Sequence, residues 1–131
     1  MSQALLKRKA FASFKTDDVR DAATEIMKRI DACPQWRGSF AANKTLVDYQ
    51  IYSRGDHKWW FSFAIKPDHL LFYFRGHATG SGKYRFDRLT PPFTEEGHKL
   101  RKSASREWIF RIYNLEEAAA LAEILKLPTV A

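Results

Sequence analysis

Apolar residues recur along the chain with two periods, and each change of period marks an element. Val19, Ala22, Ala23, Ile26 and Ile30 fall three or four positions apart, the spacing that lines one face of an α-helix. Thr16 suits the cap position, and Asp17 and Asp18 complement the positive end of the helix dipole. Pro34 ends the pattern, so a first helix is predicted over residues 16–32. From Thr45 the period becomes two. Val47, Tyr49 and Ile51 alternate with Asp48, Gln50 and Tyr52, and Trp59, Phe61, Phe63 and Ile65 alternate with Lys58, Trp60, Ser62 and Ala64. Leu70, Phe72 and Phe74 then alternate with Leu71, Tyr73 and Arg75. Gly55-Asp56 and Pro67-Asp68 mark tight turns, which joins the three strands into a meander.

The stretch after Gly76 is less regular. The loop Gly76 to Gly82 reads as a flexible glycine hairpin, and Tyr84 to Leu89 as a short strand stopped by Pro91-Pro92. Phe93 to Arg106 is polar, basic and without period, and reads as a long exposed loop. A last strand alternates Trp108, Phe110 and Ile112 with Ile109, Arg111 and Tyr113. Asn114 and Glu117 have the spacing of a capping box, which opens a second helix over residues 115–126.

These elements predict an α+β fold of two layers: an antiparallel meander sheet of four to five strands with an N-terminal and a C-terminal helix on one face. Residues 1–131 form a single domain in this reading, with residues 1–15 as a basic N-terminal arm. The helix-covered face carries Val47, Tyr49, Ile51, Trp59, Phe61, Phe63, Leu70, Phe72, Phe74, Trp108, Phe110 and Ile112 as the expected core. The opposite face is mixed. It holds Tyr52, Trp60, Tyr73 and Tyr113 beside Lys58, Arg75 and Arg111.

Composition sharpens the second face. Aromatic residues make up 15% of the chain and the formal net charge is +7. Lys7, Arg8, Lys9 and Lys15 stand in the arm without an acid, and Lys99, Arg101, Lys102 and Arg106 stand together in the late loop. The two helices are mildly acidic, so the positive excess belongs to the strands, loops and arm. Such asymmetry favours an anionic partner. The longest apolar runs, such as Trp59 to Ile65, fall far short of the roughly 18 residues of a membrane span. One cysteine, Cys33, allows no intrachain disulfide, which points to a reducing, cytoplasmic setting.

Catalytic motifs are scarce. Gly76 to Lys83 resembles a phosphate-binding loop, but its first glycine is one residue too far from Gly82-Lys83, and Tyr84 replaces the Ser or Thr that holds magnesium. His57, His69, His77 and His98 never occur at the spacing that puts two imidazoles on one helix face, so no metal or cofactor is expected. Asp56 and Asp68 sit in turns that favour aspartate for its own backbone bonds, and Glu107 lacks the neighbouring lysine of a magnesium nuclease strand.

Trp59-Trp60-Phe61-Ser62-Phe63-Ala64-Ile65, followed by Leu70-Leu71-Phe72-Tyr73-Phe74-Arg75 and flanked by helices, resembles the small two-layer bacterial domains of the YdhG-like type. That resemblance implies a meander with terminal helices and supplies no catalytic residues. The residues themselves place a nucleic-acid-binding accessory module first among three classes, because bases stack on aromatic rings while cations follow the backbone. Its expected surface comprises Tyr52, Lys58, Trp60, Tyr73, Arg75, Lys83, Arg101, Lys102, Arg106, Arg111 and Tyr113. A protein-interaction or small-ligand domain ranks second and an enzyme without a recognisable motif third. Exposed aromatics also permit a homo-oligomer.

Overall fold

The computed structural model describes residues 2–43 and 46–130. The strand start expected at Thr45 lies outside the described residues, as do Met1, Lys44 and Ala131. Chain order is α1 (Gln3–Phe11), α2 (Asp17–Asp31), β1 (Trp36–Asn43), β2 (Leu46–Ser53), β3 (Trp59–Ile65), β4 (Leu70–Phe74) and the single turn α3 (Gly76–Thr79). A 3₁₀ turn at Phe86–Arg88 follows, then β5 (Arg101–Lys102), β6 (Trp108–Ile112) and α4 (Leu115–Ile124). The strands form one antiparallel sheet in the order β1-β2-β3-β4-β6-β5. The fold is thus α+β on an antiparallel sheet, with six strands where four to five were expected and four helices where two were.

Local chemistry sets the helix ends. Thr16 Oγ1 accepts the backbone N–H of Val19 at 3.3 Å, and Asn114 Oδ1 accepts that of Glu117 at 2.9 Å. Glu117 returns the bond, accepting the Tyr113 N–H at 2.7 Å, so the capping-box spacing is used with a shift of one residue. Val19, Ala22, Ala23, Ile26 and Ile30 of α2 are all buried. The segment read as an arm is helical as well. Ser2 caps α1 by accepting the Leu5 N–H, and the helix buries only Leu6 and Ala10.

Three rows cross the inner face of the sheet, the first two rich in aromatic residues. Pairing aligns Phe40, Tyr49, Phe63, Phe72 and Phe110 in one row, with ring centroids 5.1 to 6.4 Å apart. The next row contains Gly38, Ile51, Phe61, Phe74 and Trp108, and the third Val47, Ile65, Leu70 and Ile112. The buried residues of α1, α2 and α4 belong to the same cluster as these rows, so the helices share one face. Each such ring removed from water stabilises the fold by about 1.5–3 kcal/mol.

The stretch expected to be an exposed loop also covers this face. Leu89, Phe93 and Leu100 are buried, and Phe93 stacks on Phe110 at 4.5 Å. The short strand expected over residues 84–89 is instead the 3₁₀ turn, and the glycine segment opens with the helical turn α3 rather than a hairpin. One edge of the sheet is closed by a side chain. Gln3 donates Nε2–H to Phe40 O at 2.9 Å and accepts the Phe40 N–H at 2.7 Å, occupying backbone groups that the edge strand β1 leaves free.

Candidate nucleic-acid interface

A β-bulge decides which aromatic residues reach the helix-free face. Ile51 pairs with Phe61, but Tyr52 pairs with Trp59, so Trp60 is an extra residue in β3. Two adjacent side chains, Trp60 and Phe61, therefore turn to the helix side, and Trp59 turns away from it. This reverses the expected assignment of both tryptophans. Trp60 is 5% exposed and lies against Trp36, Phe61 and Tyr84. Trp59 stacks on Tyr52 at 6.3 Å.

From that bulge a ladder of side chains runs across the outer face. The Arg37 guanidinium lies 4.8 Å from the Tyr52 ring, Tyr52 stacks on Trp59, and the Arg75 guanidinium lies 3.8 Å from the Trp59 ring. Arg75 Nε then binds Glu107 Oε2 at 2.8 Å. Every ring face inside this ladder already has a neighbour. Tyr52 and Trp59 are thus held as cross-strand pairs, and base stacking on the faces they share would have to break those contacts.

The adjoining row is mixed in exposure, with Ser62 and Ile109 buried on either side of Tyr73 and Arg101 exposed. Register aligns Ser39, Gln50, Ser62, Tyr73, Ile109 and Arg101, and the row beyond it aligns Ala41, Asp48, Ala64, Leu71 and Arg111. Tyr73 is half-buried and, among the described residues, has no ring or cation stacked on it. Burial, reinforced by the carboxylates of Asp48 and Glu107, holds its hydroxyl above the usual phenol range against the pull of Arg101 and Arg75. Arg37, Arg101 and Arg111 have no ion-pair partner among the described residues, in contrast to Arg75.

Of the expected surface, the structure therefore gathers Tyr52, Tyr73, Arg75, Arg101 and Arg111 on the helix-free face. The other six lie elsewhere. Lys58 is exposed in the β2–β3 turn, where its N–H binds Asp56. Lys83 sits 5.2 Å from the Trp60 ring on the helix side, and Lys102, opposite Trp108, sits 4.9 Å from Phe86 there too. Arg106 occupies a left-handed turn (φ 66°) before β6, and its carbonyl accepts the Thr79 hydroxyl at 2.7 Å. Tyr113 lies beyond the end of β6, between the His69 and His98 rings. Arg37 and Trp59 belong to the face and were not expected there. For Arg37 the signal was present in the alternation Trp36-Arg37-Gly38-Ser39-Phe40.

The histidines are engaged separately. His77 Nε2 is 3.0 Å from Asp56 Oδ2, and the same carboxylate accepts the Trp60 indole N–H. Those bonds, led by the Lys58 backbone N–H, keep the Asp56 carboxyl below the usual range. His98 Nδ1 accepts the Thr94 N–H, which leaves Nε2–H to donate to Glu117 Oε2 at 2.6 Å. That pair fastens the late loop to α4. Among the described residues no group of three or more His, Cys, Asp or Glu is placed to hold a metal ion, and no helix is long and apolar enough to cross a membrane. Comparison with family models, curated proteins and solved structures returns no match to this chain.

Proposed function

We propose that the helix-free face binds single-stranded nucleic acid, with Arg37, Arg101 and Arg111 contacting phosphates and Tyr73 offering the ring on which a base stacks. The observation that carries this reading is that three arginines with no ion pair and a tyrosine with no stacked neighbour, among the described residues, share the face opposite the helices. Charge complementarity selects an anionic partner over a second copy of the chain, because a copy would present the same arginines. A single strand suits the face better than a duplex, whose bases cannot reach an isolated ring.

The test is fluorescence anisotropy with labelled oligo-dT and with a duplex of equal length. Three phosphate contacts on a single strand give a salt slope of about −2, so affinity should fall roughly twenty-fold between 50 and 200 mM salt. Tyr73→Ala should weaken binding by about 1–3 kcal/mol. Arg101→Ala/Arg111→Ala should flatten the salt slope. Lys28→Ala, on α2, should change neither quantity. Absence of salt-sensitive binding, or variants that bind as the parent does, would sink the proposal; self-association at low salt without oligonucleotide binding would replace it with an assembly surface.

A further inference from the structure

On the helix side, a cleft of about 280 Å³ opens between the start of β1, the loop after α3 and the end of α4. Its lining includes Trp36, Lys83, Tyr84 and Lys126 around an apolar floor of Ile124 and Leu125, and it includes no carboxylate. Neither lysine has an ion pair among the described residues. Trp36 is 5% exposed, yet its indole N–H makes no hydrogen bond among them, and the Tyr84 hydroxyl makes none either. Neither donor atom is sealed in the core, since Arg29 Nη1 is the fully buried side-chain nitrogen or oxygen left without a hydrogen bond among the described residues, so both donors are open to a partner arriving from solvent.

We infer that this cleft binds a small organic anion, a phosphate monoester or a carboxylate carried on a compact apolar group. The lysine ammoniums supply charge, Trp36 Nε1–H and Tyr84 Oη–H supply directed donors, and Ile124 and Leu125 take the apolar part. The Tyr84 phenol, lifted by burial to about 12, is protonated at neutral pH, as an unperturbed phenol also is. One effect opposes the anion. The C-terminal end of α4 carries a partial negative charge of about half a unit, but two full positive charges outweigh it. Much of that end is satisfied within the chain, since Leu125, Lys126 and Leu127 donate their N–H groups to Leu121, Glu123 and Ala122. The volume lies at the low end for ligand pockets and limits the guest to a small molecule.

Lys126 follows the end of α4 in a left-handed conformation (φ 57°), a position that glycine fills at lower energy.

The site is tested by following the Trp36 indole ¹H–¹⁵N resonance while phenyl phosphate, benzoate or neutral benzyl alcohol is added. A saturable shift is expected with one or both anions, with dissociation constants on the order of 1 mM or tighter, and the tighter anion identifies the head group. Lys83→Gln and Lys126→Gly should each weaken binding about ten-fold, the usual effect of losing one charged hydrogen bond. Glycine suits the Lys126 backbone, so that variant should bind less well while melting no lower than the parent. No saturable shift with either anion, an equal response to benzyl alcohol, or unchanged affinity in both variants would overturn the inference.

Discussion

Alanine at Gly38 places one methyl group where the Tyr49 ring already lies. A Cβ on Gly38 would be 1.8 Å from Tyr49 Oη and 2.2 Å from Cζ, whereas nonbonded carbon atoms settle about 3.5–4.0 Å apart. The ring has little freedom to move aside. It is 3% exposed and is held between Phe40 at 5.1 Å and Phe63 at 5.2 Å. If the core shifts to accept the methyl, overpacking costs about 1–3 kcal/mol. If the ring is expelled instead, the burial of a large aromatic side chain is lost, about 1.5–3 kcal/mol. Alanine's smaller unfolded-state entropy offsets about 0.4–1 kcal/mol of either loss. The net destabilisation is then about 1–2 kcal/mol, which lowers the melting temperature by roughly 3–8 °C in a chain of this size. Urea denaturation followed by tryptophan fluorescence measures it. Gly38→Ala combined with Tyr49→Leu removes the obstructing ring, so the two substitutions should couple favourably by about 1 kcal/mol. A Gly38→Ala variant as stable as the parent, or a double variant that is strictly additive, would refute this packing argument.

Three other perturbations follow from single contacts. Arg29 Nε binds Glu25 Oε2 at 2.6 Å within a mostly buried pair, and that bond lowers the Glu25 pKa. The stability it contributes is complete above the unfolded value of about 4.3 and is lost as pH falls through the lower folded value, so Glu25→Gln should flatten the acid limb of a stability–pH curve. Tyr84 behaves oppositely: its pKa is raised to about 12, so its contribution is complete below the unfolded value and disappears as pH rises toward 12. Stability measured by urea denaturation above pH 10 should therefore fall less steeply in Tyr84→Phe. Gln3→Ala removes both bonds to the Phe40 backbone, and hydrogen exchange at the Phe40 amide should accelerate about ten-fold or more, the equivalent of roughly 1.4 kcal/mol of lost local protection.

Elements whose apolar residues keep one period through several turns or alternations were legible, as α2 and β4 show. Other elements lacked that redundancy. α1 buries only Leu6 and Ala10, one residue per turn, which leaves no broad apolar stripe to read. β1 alternates correctly, but its inner position 38 is glycine, required because the Tyr49 ring covers it. A glycine where the pattern needs an apolar residue reads as a break. Leu89, Phe93 and Leu100 anchor the late loop at irregular intervals, so they bury apolar surface without producing a period. The bulge in β3 is the most consequential omission, since counting by two cannot register an extra residue and assigns Trp59 and Trp60 to the wrong faces.

That exchange changes which ring can report on function. An outer face bearing Tyr52, Trp59 and Tyr73 suggests three equivalent platforms, but the first two are enclosed by Arg37, Arg75 and each other. Removing Trp59 therefore breaks a stack and a cation–π contact, and it leaves the Arg75–Glu107 pair without the ring that positions it. Its effect should fall on stability, about 1–2 kcal/mol by urea denaturation, while the salt slope of oligonucleotide binding stays unchanged. Among the described residues Tyr73 has no such neighbours, so Tyr73→Ala should weaken binding more than Trp59→Ala does and cost less stability. If Trp59→Ala abolishes binding while its stability equals that of the parent, the ladder itself is the platform, and the assignment of Tyr73 as the stacking ring is wrong.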